Sequence, residues 1–476
     1  MRVLLFNPQT RHAAEMPVST AYVHVSFLPP LGLLYLAASL RSAGHDVLFI
    51  DANAPDHGAK KIAERIREFR PQIACLTAYT FLFYDVLFSA RLIKSIQPDT
   101  KIALGGPHID LYPEETLSHH EIDFLISGDG EFPILNLCEA LAGKRSFAEV
   151  EGLIYRDERN ESVFVAPLPR LANIDRYAFP DRSPVRYRYY HCAVNPQGME
   201  TSMITSRGCP YLCRYCGDLA EKGYRARSPE NVVAEFEQIA AQGFGGVHLW
   251  DGTFNVDLER AKEICRRLAD RKLPLQFSTR IRGDNTDEEF FGLLAAAGCN
   301  RVNIGVESAN PEILQAMDRR IDLDKVIQAV AQAKRHGLCT QAYFMLGFPH
   351  ETEQQIRRTI DFALQLRSNY AMFMPVMLYP GTRLFQDALS NGAMKKDPYR
   401  EYTLAPTPHF QVRIWETEVP LTRLVHHLKS AYRRFYFTPG HLWREVSGLR
   451  SYREFKAKSA LGRQLLSYEL GKTWHR

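Results

Sequence analysis

Cys209, Cys213 and Cys216 form a Cys-x3-Cys-x2-Cys run inside Ser206-Arg-Gly-Cys-Pro-Tyr-Leu-Cys-Arg-Tyr-Cys-Gly-Asp218, directly after the β-like Met203-Ile204-Thr205. Three thiols so close leave one over from any disulfide pairing. Their soft sulfurs can instead converge on one iron–sulfur centre. A four-iron cube held by three cysteines keeps one iron open to a non-protein ligand. A four-cysteine site only passes electrons, whereas an open iron can bind and reduce a small molecule. The competing readings are a zinc site or a chance cluster of buried cysteines. Zinc sites pair Cys-x2-Cys with a second pair or with histidines, and no second pair follows here. Cys75, Cys138, Cys192, Cys265, Cys299 and Cys339 are scattered singly and read as small buried hydrophobes. They offer no set for a second cluster.

The elements that must position these thiols are strands and helices in strict alternation. From Met199 the pattern predicts strands over 202–206, 246–250, 275–279, 301–304, 340–345 and 371–379. Helices are expected between them, over 229–242, 257–270, 287–297, 311–317, 323–336 and 352–367. The first 145 residues alternate in the same way: Arg2-Val-Leu-Leu-Phe6, Asp46–Asp51, Gln72–Thr77, Lys101–Leu104 and Ile122–Ile126 as strands, with helices between. Such alternation specifies an α/β fold with a parallel, doubly wound sheet, whose ligands bind beyond the strand carboxyl ends. Those ends carry Asn7, Asp51, Thr77, Gly105, Gly106, Gly128 and Gly130, where glycines allow close backbone approach to a large ligand.

The cysteine spacing, with Tyr215 just before the third cysteine, resembles the cluster motif of the radical SAM superfamily. The resemblance implies a 4Fe–4S cluster whose open iron chelates S-adenosylmethionine (SAM), and reductive cleavage of SAM to a 5′-deoxyadenosyl radical. It also implies a partial six-stranded (β/α) barrel over 199–385, with its site at the strand C-termini. There it suggests Asp251 near the SAM amine, Thr279 and Arg280 at the next strand end, with Arg280 opposite the SAM carboxylate, Glu307 and Ser308 toward the ribose or amine, and Gly347 in the segment beside the adenine. Taken singly, Gly347 is equally a turn, and Arg280 with Glu307 equally an internal ion pair.

Pro29-Pro-Leu-Gly-Leu-Leu-Tyr-Leu-Ala, Gly44-His45, Gly105-Gly-Pro-His108 and Gly128-Asp-Gly-Glu131 together resemble the cobalamin-binding domain that precedes the cluster domain in one large radical SAM class. Many such domains ligate cobalt from Asp-x-His-x-x-Gly, which is absent here. His45, His57 and His108 are therefore not assigned to cobalt, and the resemblance implies a cobalamin with no protein histidine beneath it. The plain alternative is a doubly wound domain without a cofactor. The pairing of both domains implies methyl transfer to an unactivated carbon or phosphorus centre of a small molecule. Oxidative cyclisation or rearrangement without net methylation is the alternative, and an iron–sulfur redox sensor a further one. A flavodoxin or ferredoxin would serve as electron donor.

Four stretches follow: a Rossmann-like domain over 1–145, a hairpin and linker over 146–198 with Phe179-Pro-Asp-Arg182 as connector, the core over 199–385, and a basic, mostly helical segment over 386–476. Residues 421–476 hold 12 Lys/Arg against Glu445, Glu454 and Glu469, although the whole chain is only +5. Such a tail admits nucleic acid or an anionic surface as partner, but equally a solvated helix face, and no nucleic-acid motif accompanies it. Tyr432, Phe435, Tyr436 and Phe437 read either as a cap over the barrel mouth or as packing. No apolar run of 18 residues spans a membrane. The opening strand breaks at Pro8, too short for a signal peptide, so the expected location is the cytoplasm.

Overall fold

Val3-Leu-Leu-Phe6, Ile73-Ala-Cys-Leu76 and Ile102-Ala-Leu104 are apolar at every position and buried throughout, the pattern of strands covered on both faces. The structure, a computed structural model, describes residues 1–10, 12, 28–55, 58–166, 172–190, 198–217, 223–415, 418–441, 443, 455, 459 and 462–463. They fall into two compact units: one from the described residues of Met1–Met16, Pro30–Tyr189 and Met394–Val412, the other from those of Pro17–Pro29, Tyr190–Ala393 and Arg413–Arg476.

In the first unit β1 (Arg2–Asn7), β2 (Asp46–Asp51), β3 (Ile73–Thr77), β4 (Lys101–Gly105) and β5 (Phe124–Ile126) pair in parallel in the order β2-β1-β3-β4-β5. This is a doubly wound sheet whose strand order reverses between β1 and β3, the point where such sheets take ligands. The hairpin β6 (Leu153–Arg156) and β7 (Ser162–Phe164) continues it antiparallel, with Phe124 opposite Tyr155. The sheet thus extends past the expected boundary at 145. The connector Phe179–Arg182 also belongs here: Asp181 donates its N–H to the Leu34 carbonyl at 3.0 Å and pairs with Arg41. The chain returns at Met394–Val412, where Tyr402 accepts the Tyr84 N–H at 3.0 Å, Tyr112 donates to Asp397 at 2.9 Å, and Arg400 pairs with Glu115. The segment after 386, expected as one piece, is divided between the two units.

In the second unit β8 (Glu200–Met203), β11 (Gly246–Leu249), β12 (Gln276–Ile281), β13 (Cys299–Glu307), β14 (Cys339–Leu346) and β15 (Tyr370–Pro375) pair in parallel in chain order. The short ribbon of β9 (Ser206–Arg207) and β10 (Arg225–Ala226) flanks the cysteine loop. Six helices start on side chains that cap their free N–H groups: Ser228, Asp257, Asp287, Asp322, Thr352 and Thr382. Each cap satisfies an orphan donor and adds about 1 kcal/mol.

Strand alternation then sorts the residues. Phe277 packs edge-on against Phe236, and Phe344 stacks on Phe373, so these positions face the helices. Their neighbours Ser278, Arg280, Asn303 and Gln341 take the inner face. The open edge at β15 is closed by the helix Leu421–Tyr436. Tyr432 accepts the Phe373 N–H at 3.2 Å and donates to its carbonyl at 3.0 Å, and Tyr436 does the same for Ala371 at 3.0 and 2.7 Å. Two hydroxyls one helical turn apart thus stand in for a seventh strand and blunt the edge. These tyrosines are packing, and so is Phe435, edge-on to Phe373.

Candidate active site

The loop bearing Cys209, Cys213 and Cys216 is pinned at several points. Gly208 lies at φ +77°, and a Cβ there would overlap the carbonyl oxygen of Gly223; no other residue fits this crossing. Cys216 donates its N–H to the Cys213 carbonyl at 3.1 Å, Arg214 donates to the Met317 carbonyl at 3.0 Å, and Leu384 donates to the Arg214 carbonyl at 2.8 Å. Arg214 pairs with Asp387, Arg383 donates to the Leu212 carbonyl at 3.0 Å, and Arg282 lies 4.1 Å over the Tyr211 ring. All three cysteines are half-buried thiols outside any disulfide. Among the described residues no three His, Cys, Asp or Glu side chains are placed to hold a single metal ion.

Arg319 reaches Cys213 Sγ at 3.9 Å and the Gly305 carbonyl at 2.7 Å. The guanidinium is placed to donate a hydrogen bond to the sulfur that would ligate iron. Glu307 sits at φ +72° on a β-bulge, where β13 slips against β14. Burial pushes its carboxyl up, while Arg319 and the Tyr215 hydroxyl pull it back down. Glu307, Tyr215, Arg319 and Cys213 are therefore brought together, and Arg319 was not among the sequence candidates. Its signal was faint: an arginine after a short helix, at Asp318-Arg-Arg320.

Asp251 is buried, and both its oxygens are engaged by the strand leading into the cysteine loop. It accepts from Thr205 N at 2.6 Å, from Ser206 N at 3.1 Å and from the Thr205 hydroxyl. Burial pushes its carboxyl up, and these bonds oppose the shift. Its contacts are those of a brace for the loop rather than of a SAM-amine ligand. Thr279 departs from expectation: on β12 it shares the parity of Phe277 and Ile281, so its buried hydroxyl faces the helices. Ser308 is also turned away from a ligand, meeting Thr359 at 3.3 Å and accepting from Asn310 N at 3.2 Å. Arg280 remains on the inner face, 4.5 Å over the Trp250 ring.

Gly347, at φ +85°, donates its N–H to Glu351 at 2.7 Å, and a Cβ would press 2.8 Å from Leu424. Glu351 is fully buried, also accepts from Phe348 N at 3.2 Å, and is pushed up to about 7 by burial. It fixes the turn expected beside the adenine, a role sequence reasoning missed.

At the strand ends of the first unit Asn7 donates to Asp51 at 2.9 Å, and Asp51 accepts from Asn53 N at 2.9 Å. Thr77 ends β3 across the switch point. Gly106 lies at φ +104°, and a Cβ would sit 2.8 Å from the Ala78 carbonyl oxygen; Gly128 lies at φ +81°. The Gly105 carbonyl accepts the Ala78 N–H at 2.7 Å, and Gly130 packs beside Leu36. His108 is buried, with one ring nitrogen 3.0 Å from Thr80 and the other 3.0 Å from Thr116. Burial lowers it to about 3. Both nitrogens are committed, so His108 is structural and neutral. His45 bonds the N-terminal amine at 3.1 Å, and His57 lies outside the described residues.

The family model for the radical SAM superfamily matches residues 203–363, and that for the B12 binding domain matches 23–137. An uncharacterised methyltransferase of Pyrococcus horikoshii is 32% identical over 453 residues, covering 94% of this chain and 95% of that protein. The chain belongs to the radical SAM enzymes that carry a B12-binding domain. The anaerobic magnesium-protoporphyrin IX monomethyl ester cyclase of Rubrivivax gelatinosus is 27% identical over 93% of this chain and 78% of the cyclase. In fold, the chain matches the radical SAM methyltransferase TsrM of Kitasatospora setae, with a TM-score of 0.73 at 19% identity over 98% and 99% of the two chains.

The residues fit what this enzyme family holds. Three thiols on a braced loop with a guanidinium at Cys213 suit a cluster with one open iron. Strand-end glycines, with Gly106 pressed against the Ala78 backbone, beside Asn7 and Thr77 at the switch point, suit a large planar cofactor. No helix among the described residues is long and apolar enough to cross a membrane.

Proposed function

We propose that this radical SAM enzyme transfers a methyl group to an unactivated carbon or phosphorus centre of a small molecule. The observation that carries this reading is the presence in one chain of the three-cysteine loop on a six-stranded partial barrel and a β2-β1-β3-β4-β5 sheet with glycine strand ends. The family likeness to a methyltransferase across nearly the whole chain supports it. When bound, the cluster with SAM supplies radical initiation, and cobalamin supplies the methyl group.

The chain's own residues bind and orient. Cys209, Cys213 and Cys216 hold the cluster, Arg319 steadies Cys213, and Asp251 braces the loop through Thr205 and Ser206. Glu307 and Tyr215 face SAM, and Glu351 fixes Gly347 for the adenine. Asn7, Thr77, Gly105, Gly106, Gly128 and Gly130 would line the cobalamin site, with Asp51 orienting Asn7. Electrons come from a flavodoxin- or ferredoxin-type donor, and the enzyme works in the cytoplasm.

A second reading, oxidative cyclisation, is favoured by the cyclase relative that spans 93% of the chain. Anaerobic reconstitution with iron, sulfide, hydroxocobalamin and methyl-labelled SAM separates the two once a substrate is supplied. Methylation yields S-adenosylhomocysteine and 5′-deoxyadenosine in equal amounts, with label in the product. Deoxyadenosine with no matching S-adenosylhomocysteine and an unlabelled product would replace methylation by cyclisation.

A further inference from the structure

The inner face of the barrel holds a polar row that neither the cluster nor its brace uses. Register aligns Arg280 on β12 with Asn303 on β13, and Asn303 with Gln341 on β14. Asn303 and Gln341 are only 8% and 4% exposed. Neither side chain makes a hydrogen bond to a described residue, and the buried Asn303 amide oxygen is unsatisfied. The oxygen is the buried end of the Asn303 amide, which leaves its N–H2 and the Gln341 carboxamide as the ends whose bonding a ligand in the barrel can complete. Arg280, their neighbour in the row, has no carboxylate partner among the described residues, and its guanidinium lies over the face of Trp250. Stacking on an indole leaves the N–H edge of a guanidinium free for a bidentate oxyanion.

The layers above and below narrow the ligand. Below, His248 bonds Ser278 at 2.8 Å and faces Glu200 at 3.7 Å, so that layer already contains an anion. Above, Tyr343 pairs with Met372 and Met345 with Met374. All four are half-buried on the inner face, while Ala342, Phe344, Ala371 and Phe373 behind them are buried. Thioethers and a phenol make an adaptable apolar wall. Depth separates the row from the SAM level: Asn303 lies two residues, about 7 Å, below Gly305, whose carbonyl binds Arg319, and Gln341 lies six residues, about 20 Å, below Gly347.

We propose that Arg280, Asn303 and Gln341 anchor the substrate by a carboxylate, with its apolar body against Tyr343, Met345, Met372 and Met374. This rests on the reading that the barrel is the reaction chamber for a small molecule, and it moves Arg280 from SAM to substrate. Each carboxamide turns its N–H2 to the oxyanion, and Arg280 supplies the charge.

The test is calorimetry on the full-length, anaerobically reconstituted enzyme with a matched pair of probes, 4-phenylbutyrate and 4-phenylbutan-1-ol. The acid is expected to bind on the order of tenfold more tightly than the alcohol. Arg280→Gln should erase that preference, Arg280→Lys should restore part of it, and Asn303→Leu or Gln341→Leu should weaken the acid by roughly threefold to tenfold. SAM affinity, measured separately by equilibrium dialysis, should stay within about twofold in all four variants. Equal binding of acid and alcohol, or no binding of either, would overturn the proposal. So would a collapse of SAM affinity in Arg280→Gln with the acid preference intact, which would return the arginine to SAM. Failure of the methylation reading registers elsewhere, in the yield of S-adenosylhomocysteine, and leaves the probe result standing.

Discussion

The two units are both built from βα repeats, yet they place polar groups by opposite rules. In the first, the central strands are apolar on both faces because helices cover both, and polar residues appear only where strands end. Its helices Leu31–Ser42, Ala59–Phe69, Phe83–Ile96, Pro113–Leu117 and Pro133–Leu141 start without a side-chain cap, and only the returning helix Pro398–Leu404 has one among these six, from Asp397. In the second, six helices are capped by Ser, Asp or Thr, and the inner face of the sheet is itself polar. A covered flat sheet can build a site only at its rim, with glycine and bare backbone. A partial barrel with a sheltered inner face can build one from side chains along the strands.

The largest break in this comparison comes from the cysteines. Changing Cys209, Cys213 and Cys216 together to alanine should abolish iron–sulfur absorbance and SAM cleavage and leave cobalamin binding by the first unit unchanged. Retained iron would sink the assignment. The converse is Gly106→Val. With φ +104° and backbone only 2.8 Å from the new Cβ, nothing flexible can give way, and hydroxocobalamin affinity should fall at least tenfold while cluster content holds.

Acid should push the two units in opposite directions. The folded-state pKa of His108 is lowered to about 3, so between about 3 and the ordinary 6.5 the unfolded chain binds the extra proton and stability falls as pH falls. That of Glu351 is raised to about 7, so between about 4.5 and 7 the folded chain binds the extra proton; its contribution is complete below 4.5 and is lost as pH rises through 7. The effects are on the order of 5 kcal/mol for His108 and 3 kcal/mol for Glu351 across their windows. Hydrogen exchange followed by mass spectrometry at pH 5 and 7 should show the peptides around His108 loosening in acid and those around Gly347 tightening. His108→Gln and Glu351→Gln should each flatten their own trend.

A smaller effect, about 2 kcal/mol, is expected for Tyr432→Phe with Tyr436→Phe, which strands the backbone groups of Phe373 and Ala371; urea unfolding measures it. Smallest is Asp287→Ala, about 1 kcal/mol for one lost cap. An equal loss on placing alanine at Gly58, which precedes an uncapped helix of the first unit, would erase the contrast.

Much of this was legible in the sequence because it is local. Strand–helix alternation sets the order of elements within a few residues, and Cys-x3-Cys-x2-Cys needs only a loop. Thr279 shows what alternation adds: Phe277 and Ile281 already assign it to the helix side once β12 is extended to Ile281. The rest depends on non-local pairing. Nothing around Leu153 announces that its hairpin will pair with β5, nor at Tyr402 that its hydroxyl will meet Tyr84. Arg319 and Glu351 gain their roles from partners roughly a hundred residues away or from burial, and neither shows in a motif. The basic tail is in part an ion-pair surface, with Arg423 and His427 on Glu353 and Arg434 on Asp361; most of residues 441–470, expected as further helices, lies outside the described residues.

The return of Met394–Val412 to the first unit has a consequence for synthesis on the ribosome. The first unit is complete through Tyr189 except for the helix that carries Tyr399 and Tyr402, and roughly two hundred residues of barrel must be translated before that helix is made. At about 5–20 residues per second this is a wait of roughly ten to forty seconds. During it the nascent sheet has no Tyr402 hydroxyl for the Tyr84 amide and no Arg400 for the buried Glu115. The B12-binding domain, first in the chain, is therefore among the last parts to finish folding.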